Sequence, residues 1–135
     1  MDPQGTEDDV VDEDYLRKRH IDCQATSLSI VIDSSRTSLL GLHEAMPHLT
    51  CLILDGSSIL SLRDLGTKLG HLTALYVNEC GLTDLDGIGA FPNLKELSIC
   101  GNEISDLSCL AMHTSLEVSD FVLQLLFNLF QYSRL

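Results

Sequence analysis

Cys23, Cys51, Cys80, Cys100 and Cys109, together with five histidines, are the thiol and imidazole side chains of this chain that could ligate a metal or form a covalent intermediate. Their spacing gives them little to work with. No two cysteines make a C-x-x-C pair and the count is odd, so neither a zinc knuckle nor a closed disulfide framework is implied. The pattern fits reduced thiols in a cytosolic protein. The carboxylates are more regular, for Ser61, Asp84 and Asp106 stand in one evenly spaced column. Such a column could hold a cation, but Ser61 brings no charge to it. All three residues are good N-caps, which accounts for the whole column. The sequence contains no G-x-S-x-G, phosphate-binding loop or H-E-x-x-H, and Gly87-x-Gly89 reads as loop glycine. No enzyme, cofactor or metal site is expected.

Twenty acids against eight bases leave a formal charge of −12, which argues against binding to a phosphate backbone. Asp2, Glu7, Asp8, Asp9, Asp12, Glu13 and Asp14 crowd the amino-terminal region, where a secretory signal would be basic and then apolar. A cytoplasmic protein whose partners are proteins, not membranes, nucleic acids or small substrates, is the expectation.

The element that must position these residues recurs at a nearly constant period. The pattern reads Leu49-x-x-Leu52-x-Leu54, Leu72-x-x-Leu75-x-Val77 and Leu94-x-x-Leu97-x-Ile99, with steps of 23 and 22 residues. That period predicts an α/β fold, a right-handed leucine-rich-repeat solenoid. Short parallel strands line its concave side, and 3₁₀ or short helical turns line its convex side. Within each strand the leucines point inward and the residues between them point into the concavity. The concave face is then expected to show Val31, Asp33, Ile53, Asp55, Tyr76, Asn78, Glu79, Ser98 and Cys100. Ile53, Asp55, Tyr76, Asn78, Glu79 and Ser98 are the candidate protein-binding residues, an apolar and aromatic pair ringed by acids that suits a basic partner surface. Three residues past each third apolar position stand Ser57, Cys80 and Asn102, expected to turn inward and satisfy backbone groups at the bend. His48 and His71 share a slot with Asn93 and Ser115, so they read as loop residues and not ligands.

Around the repeats, residues 1–11 read as a disordered acidic tail. Residues 12–26 read as a capping segment containing a short helix over Asp12–Cys23, with acids in its first turn and Arg17, Lys18, Arg19 and His20 in its last. The solenoid spans residues 27–118. Leu28, Ile30 and Ile32 form its first strand, with Ile30 and Ile32 set against Leu52 and Leu54. Leu39, Leu42 and Met46 return along the convex side, and Pro47 and Pro92 end convex helices just before new repeats open. The fourth repeat breaks at Ser119. Residues 119–135 form a hydrophobic tail, either an end-cap helix or sequence foreign to the repeat protein.

The run Ser61-Leu-Arg-Asp-Leu-Gly-Thr-Lys-Leu-Gly-His-Leu72, then Cys80-Gly-Leu-Thr-Asp-Leu-Asp-Gly-Ile88, resembles the leucine-rich repeat-containing protein 56 family. So do Leu94-Lys-Glu-Leu97, Asn102-Glu-Ile-Ser-Asp-Leu107 and Leu116-Glu-Val118. The likeness includes Arg63-Asp64-Leu65-Gly66-Thr67, which the repeat pattern does not demand. It implies a truncated form of a ciliary adaptor, working with intraflagellar transport in outer dynein arm assembly and located in cytoplasm and cilium. Intraflagellar transport or dynein-arm components would be its partners. The 22-residue repeats also resemble those of a phosphatase regulatory subunit, which implies the alternative of a phosphatase partner.

Overall fold

Strands too short to stand alone carry the leucine pattern, so each must lean on the next coil. The structure, a computed structural model, describes residues 9–113 and 116. Along the chain come β1 (Asp9–Val10), helix α1 (Glu13–Lys18), β2 (Ser27–Ser29), β3 (Thr37–Ser38) and helix α2 (Leu42–Ala45). Then strands alternate with 3₁₀ turns: β4 (Cys51–Ile53), Leu62–Leu65, β5 (Ala74–Tyr76), Ile88–Ala90, β6 (Glu96–Ser98) and Ser108–Met112.

Strands β2, β4, β5 and β6 form one parallel sheet in that order. Leu28, Leu52, Leu75 and Leu97 stand abreast in it, none more than 2% exposed. Each step to the next strand takes one complete winding, which is the expected leucine-rich-repeat solenoid. Burial of one such leucine contributes roughly 1.5–3 kcal/mol. Every coil adds several, among them Leu49, Leu54, Ile59, Leu62 and Leu65.

The register of the first strand differs from expectation. Leu28, not Ile30, lies beside Leu52, so Ser29 neighbours Ile53. Backbone pairing decides this, because Thr50 and Cys51 both donate N–H groups to the Thr26 carbonyl and lock the earlier register. Thr26, Thr50 and Thr73 continue as a stair: Thr50 Oγ1 reaches the Thr26 carbonyl at 3.4 Å and Thr73 Oγ1 the Thr50 carbonyl at 3.2 Å.

At the bend after each strand, backbone groups that the sheet leaves over meet side chains. Ser57 Oγ accepts from Ile32 N–H at 3.0 Å, and the Cys80 thiol donates to the Leu54 carbonyl at 3.1 Å. Burial pushes that thiol's pKa up. Asn102 does most, accepting from Cys80 and Leu82 N–H and donating to the Val77 and Ile99 carbonyls, all between 2.8 and 3.1 Å.

The convex column behaves as three two-residue turns. Ser61 Oγ accepts from Arg63 N–H and caps the turn Leu62–Leu65. Asp84 accepts from Asp86 N–H and Asp106 from Ser108 N–H, each at 2.9 Å. Helical turns follow those two aspartates later, with Gly87 and Leu107 as the residues at the cap. Arg63-Asp64-Leu65-Gly66 has a structural use as well. Arg63 forks onto Asp86 of the next coil, and Ser34 of the preceding coil donates to Asp64 at 2.8 Å. The guanidinium holds the Asp86 carboxyl below the usual carboxylate range. Pro47 and Pro92 follow Met46 and Phe91, the caps that end α2 and the turn Ile88–Ala90.

The amino-terminal segment is more ordered than its composition suggests. Asp9–Val10 pairs in parallel with Thr37–Ser38, and Val11 is fully buried, so the acidic tail cannot extend to residue 11. An apolar residue among acids is recruited because the first coil has an open end to cover. Helix α1 is shorter than expected. Asp12 caps it through Tyr15 N–H, Leu16 is its one buried residue, and His20 at φ 59° turns the chain out of it. The acid-first, base-last order is present, with Lys18 to Asp14 at 3.1 Å. Ser115 and the tail over 119–135 lie outside the described residues.

Candidate protein-binding face

Alternation along the strands places Ser27, Cys51, Ala74 and Glu96 in one row across the open face of the sheet. The next row holds Ser29, Ile53, Tyr76 and Ser98. Ile53 and Tyr76 therefore stand side by side, both half-buried. Val31, two residues past the end of β2, is 70% exposed.

Polar bonds across coils set the positions of the acids. The Tyr76 hydroxyl donates to Glu96 Oε1 at 2.6 Å, which pushes the phenol pKa up to about 12. Asp55 Oδ1 accepts from Asn78 N–H at 2.9 Å. Asn78 Oδ1 accepts from the Ser98 hydroxyl at 2.8 Å and from Cys100 N–H at 2.7 Å.

Of the six expected binding residues, the face brings together Ile53, Asp55, Tyr76 and Glu79 with partly or fully exposed side chains. Asn78 is half-buried, with its oxygen committed to the next coil. Ser98 is fully buried, contrary to expectation, because its hydroxyl turns onto that asparagine. The register change moves Val31 two residues past its expected place beside Ile53, and Asp33 bridges to Ser58, three residues past Asp55. Glu96 was missed by the repeat reading, although its place two residues before Ser98 on an alternating strand marks it as outward.

Glu79 is the conformational exception. Gly56, Glu79 and Gly101 each lie two residues past the last inward side chain of their coil, and all have positive φ, at 78°, 55° and 74°. The twist aims the N–H groups of Gly56 and Glu79 at carbonyls of the next coil, Asn78 and Cys100, at 2.9 and 2.8 Å. Glycine reaches this conformation freely, whereas a residue with a Cβ meets a cost of roughly 1–2 kcal/mol. An acid holds the position nonetheless, its side chain exposed.

The comparisons with known proteins agree with the architecture. The family described as "Leucine Rich repeats (2 copies)" matches residues 70–112. Leucine-rich repeat-containing protein 56 of Mus musculus is 50% identical over 93 residues, and that of Homo sapiens 49% over 94. These alignments cover 69% and 70% of this chain and 17% of each relative. The homolog from Trypanosoma brucei brucei is 39% identical over 77 residues, 56% of this chain and 10% of that protein. The chain thus spans about 17% of the length of the mammalian relatives it matches.

Proposed function

We propose, from its homology to leucine-rich repeat-containing protein 56, that this repeat chain is a non-enzymatic adaptor that holds a protein partner on the open face of its sheet. Leucine-rich repeats are in general protein-interaction modules. The observation that carries the reading is the pair Ile53 and Tyr76, held abreast on a strand face and left half-exposed. Rigid aromatic anchors of this kind concentrate binding energy in a few contacts. The finer assignment rests on the sequence resemblance: the partner is a component of intraflagellar transport or of the outer dynein arm, met in cytoplasm and cilium.

Proximity labelling in ciliated cells, with the chain against its Tyr76→Ala variant, tests this. Transport and dynein-arm proteins should be enriched by the unaltered chain and lost with the variant, at a temperature where circular dichroism shows both chains folded. Enrichment of phosphatase catalytic subunits instead would replace the ciliary partner with a phosphatase.

A further inference from the structure

Three successive coils each give one exposed carboxylate to the surroundings of Ile53 and Tyr76. Asp55 follows β4, Glu79 follows β5 and Glu96 opens β6. Two are pre-positioned by the bonds from Asn78 N–H and the Tyr76 hydroxyl. The third persists in a backbone conformation where both flanking coils use glycine. The outward positions of β4, β5 and β6 include no base. Between the acids lies apolar surface from Ile53 and Tyr76, which stand abreast on β4 and β5.

Apolar surface ringed by fixed carboxylates is complementary to side chains with an aliphatic stem and a cationic head. The Tyr76 ring adds a face that attracts cations. Glu96 is level with Cys51, four residues before Asp55, so the two acids stand at opposite ends of the face, roughly 13 Å apart along the strands. We infer that the face binds an extended basic segment of another protein, with aliphatic stems on Ile53 and Tyr76 and cationic heads on Asp55, Glu79 and Glu96. The inference rests on the adaptor reading of the same face and adds the chemistry of what it holds.

The probe is a fluorescein-labelled peptide, Ser-Gly-Lys-Pro-Ala-Lys-Pro-Gly-Ser, with its Gln-for-Lys counterpart as control, titrated into the full chain by anisotropy. The lysine peptide should bind and the glutamine peptide should not. Glu79→Gln and Glu96→Gln should each weaken binding about tenfold, and Glu44→Gln, an exposed acid on α2, less than about twofold. Glu79→Gly guards against misfolding, since it restores the residue type of the neighbouring coils and should still lose the peptide. Equal weakening by Glu44→Gln would reduce the effect to diffuse charge and overturn the inference, as would equal binding of both peptides. If the peptide ignores these acids while Tyr76→Ala still abolishes the ciliary labelling, the basic ligand falls and the adaptor stands.

Discussion

Asn102 concentrates in one side chain what backbone pairing alone cannot supply, bonding four backbone groups on two neighbouring coils. Each buried group left unmet costs on the order of 1–3 kcal/mol, and the site is only part-buried, so water recovers some of that. Asn102→Ala should lower unfolding free energy by about 2–4 kcal/mol in a urea titration; a loss below about 0.5 kcal/mol would show that the bend is solvated. Tyr76 makes a second prediction at this scale. Its folded pKa of about 12 lies above the ordinary phenol value near 10, so the stabilisation from its bond to Glu96 is complete below pH ~10. That contribution is lost as pH rises through about 12 and the phenol gives up its proton. Ultraviolet titration should show the raised pKa, and Glu96→Gln should return it toward 10. The candidate residues Ile53, Asp55 and Tyr76 were legible because strand alternation alone sends them outward. The burial of Ser98 was not, because it depends on where Asn78 of another coil points.

Among the elements, the 3₁₀ turns show how near-identical sequence features acquire different consequences. Gly87 and Gly89 flank one residue, Ile88, and look alike as loop glycines. A Cβ on Gly87, at φ 100°, would stand 2.8 Å from the Arg63 backbone nitrogen of the preceding coil, whereas one on Gly89 would meet nothing within 4 Å. Gly87→Ala should therefore cost roughly 2–4 kcal/mol, the left-handed penalty plus displacement of backbone, and Gly89→Ala should stay within about 0.5 kcal/mol of the parent. Differential scanning calorimetry of the two variants decides it, and equal melting temperatures would deny the close approach between coils. The convex caps were half legible. Residue type found the column Ser61, Asp84 and Asp106, but only Ser61 caps its helical turn directly, the other two turns starting after Gly87 and Leu107. Arg63 and Asp64 looked like family detail in the sequence and prove to clasp three coils.

For the whole molecule, cap and repeats form one burial unit. Leu16 on α1 is as fully buried as Leu75 in the middle of the sheet. Leu16→Ala and Leu75→Ala should each cost about 2–5 kcal/mol and shift a single cooperative transition. A separate low-temperature step in the Leu16→Ala variant would make the amino-terminal segment an appendage rather than a cap.

Periodicity determined the solenoid before any coordinates. Apolar residues recurring every 22 or 23 positions can be buried only against their counterparts one winding away, so Leu52, Leu75 and Leu97 had to lie abreast. It also determined that Ile53 and Tyr76 face outward, since a strand alternates whatever its neighbours do. What only tertiary structure decided were contacts between coils. These include the pairing of Leu28 with Leu52, the recruitment of Val11 from an acidic stretch, and the left-handed turn that holds Glu79 at the rim of the face. The physical reason is common to all three. Backbone hydrogen bonds and open ends must be satisfied by whatever lies one coil away, and linear sequence does not record that neighbour.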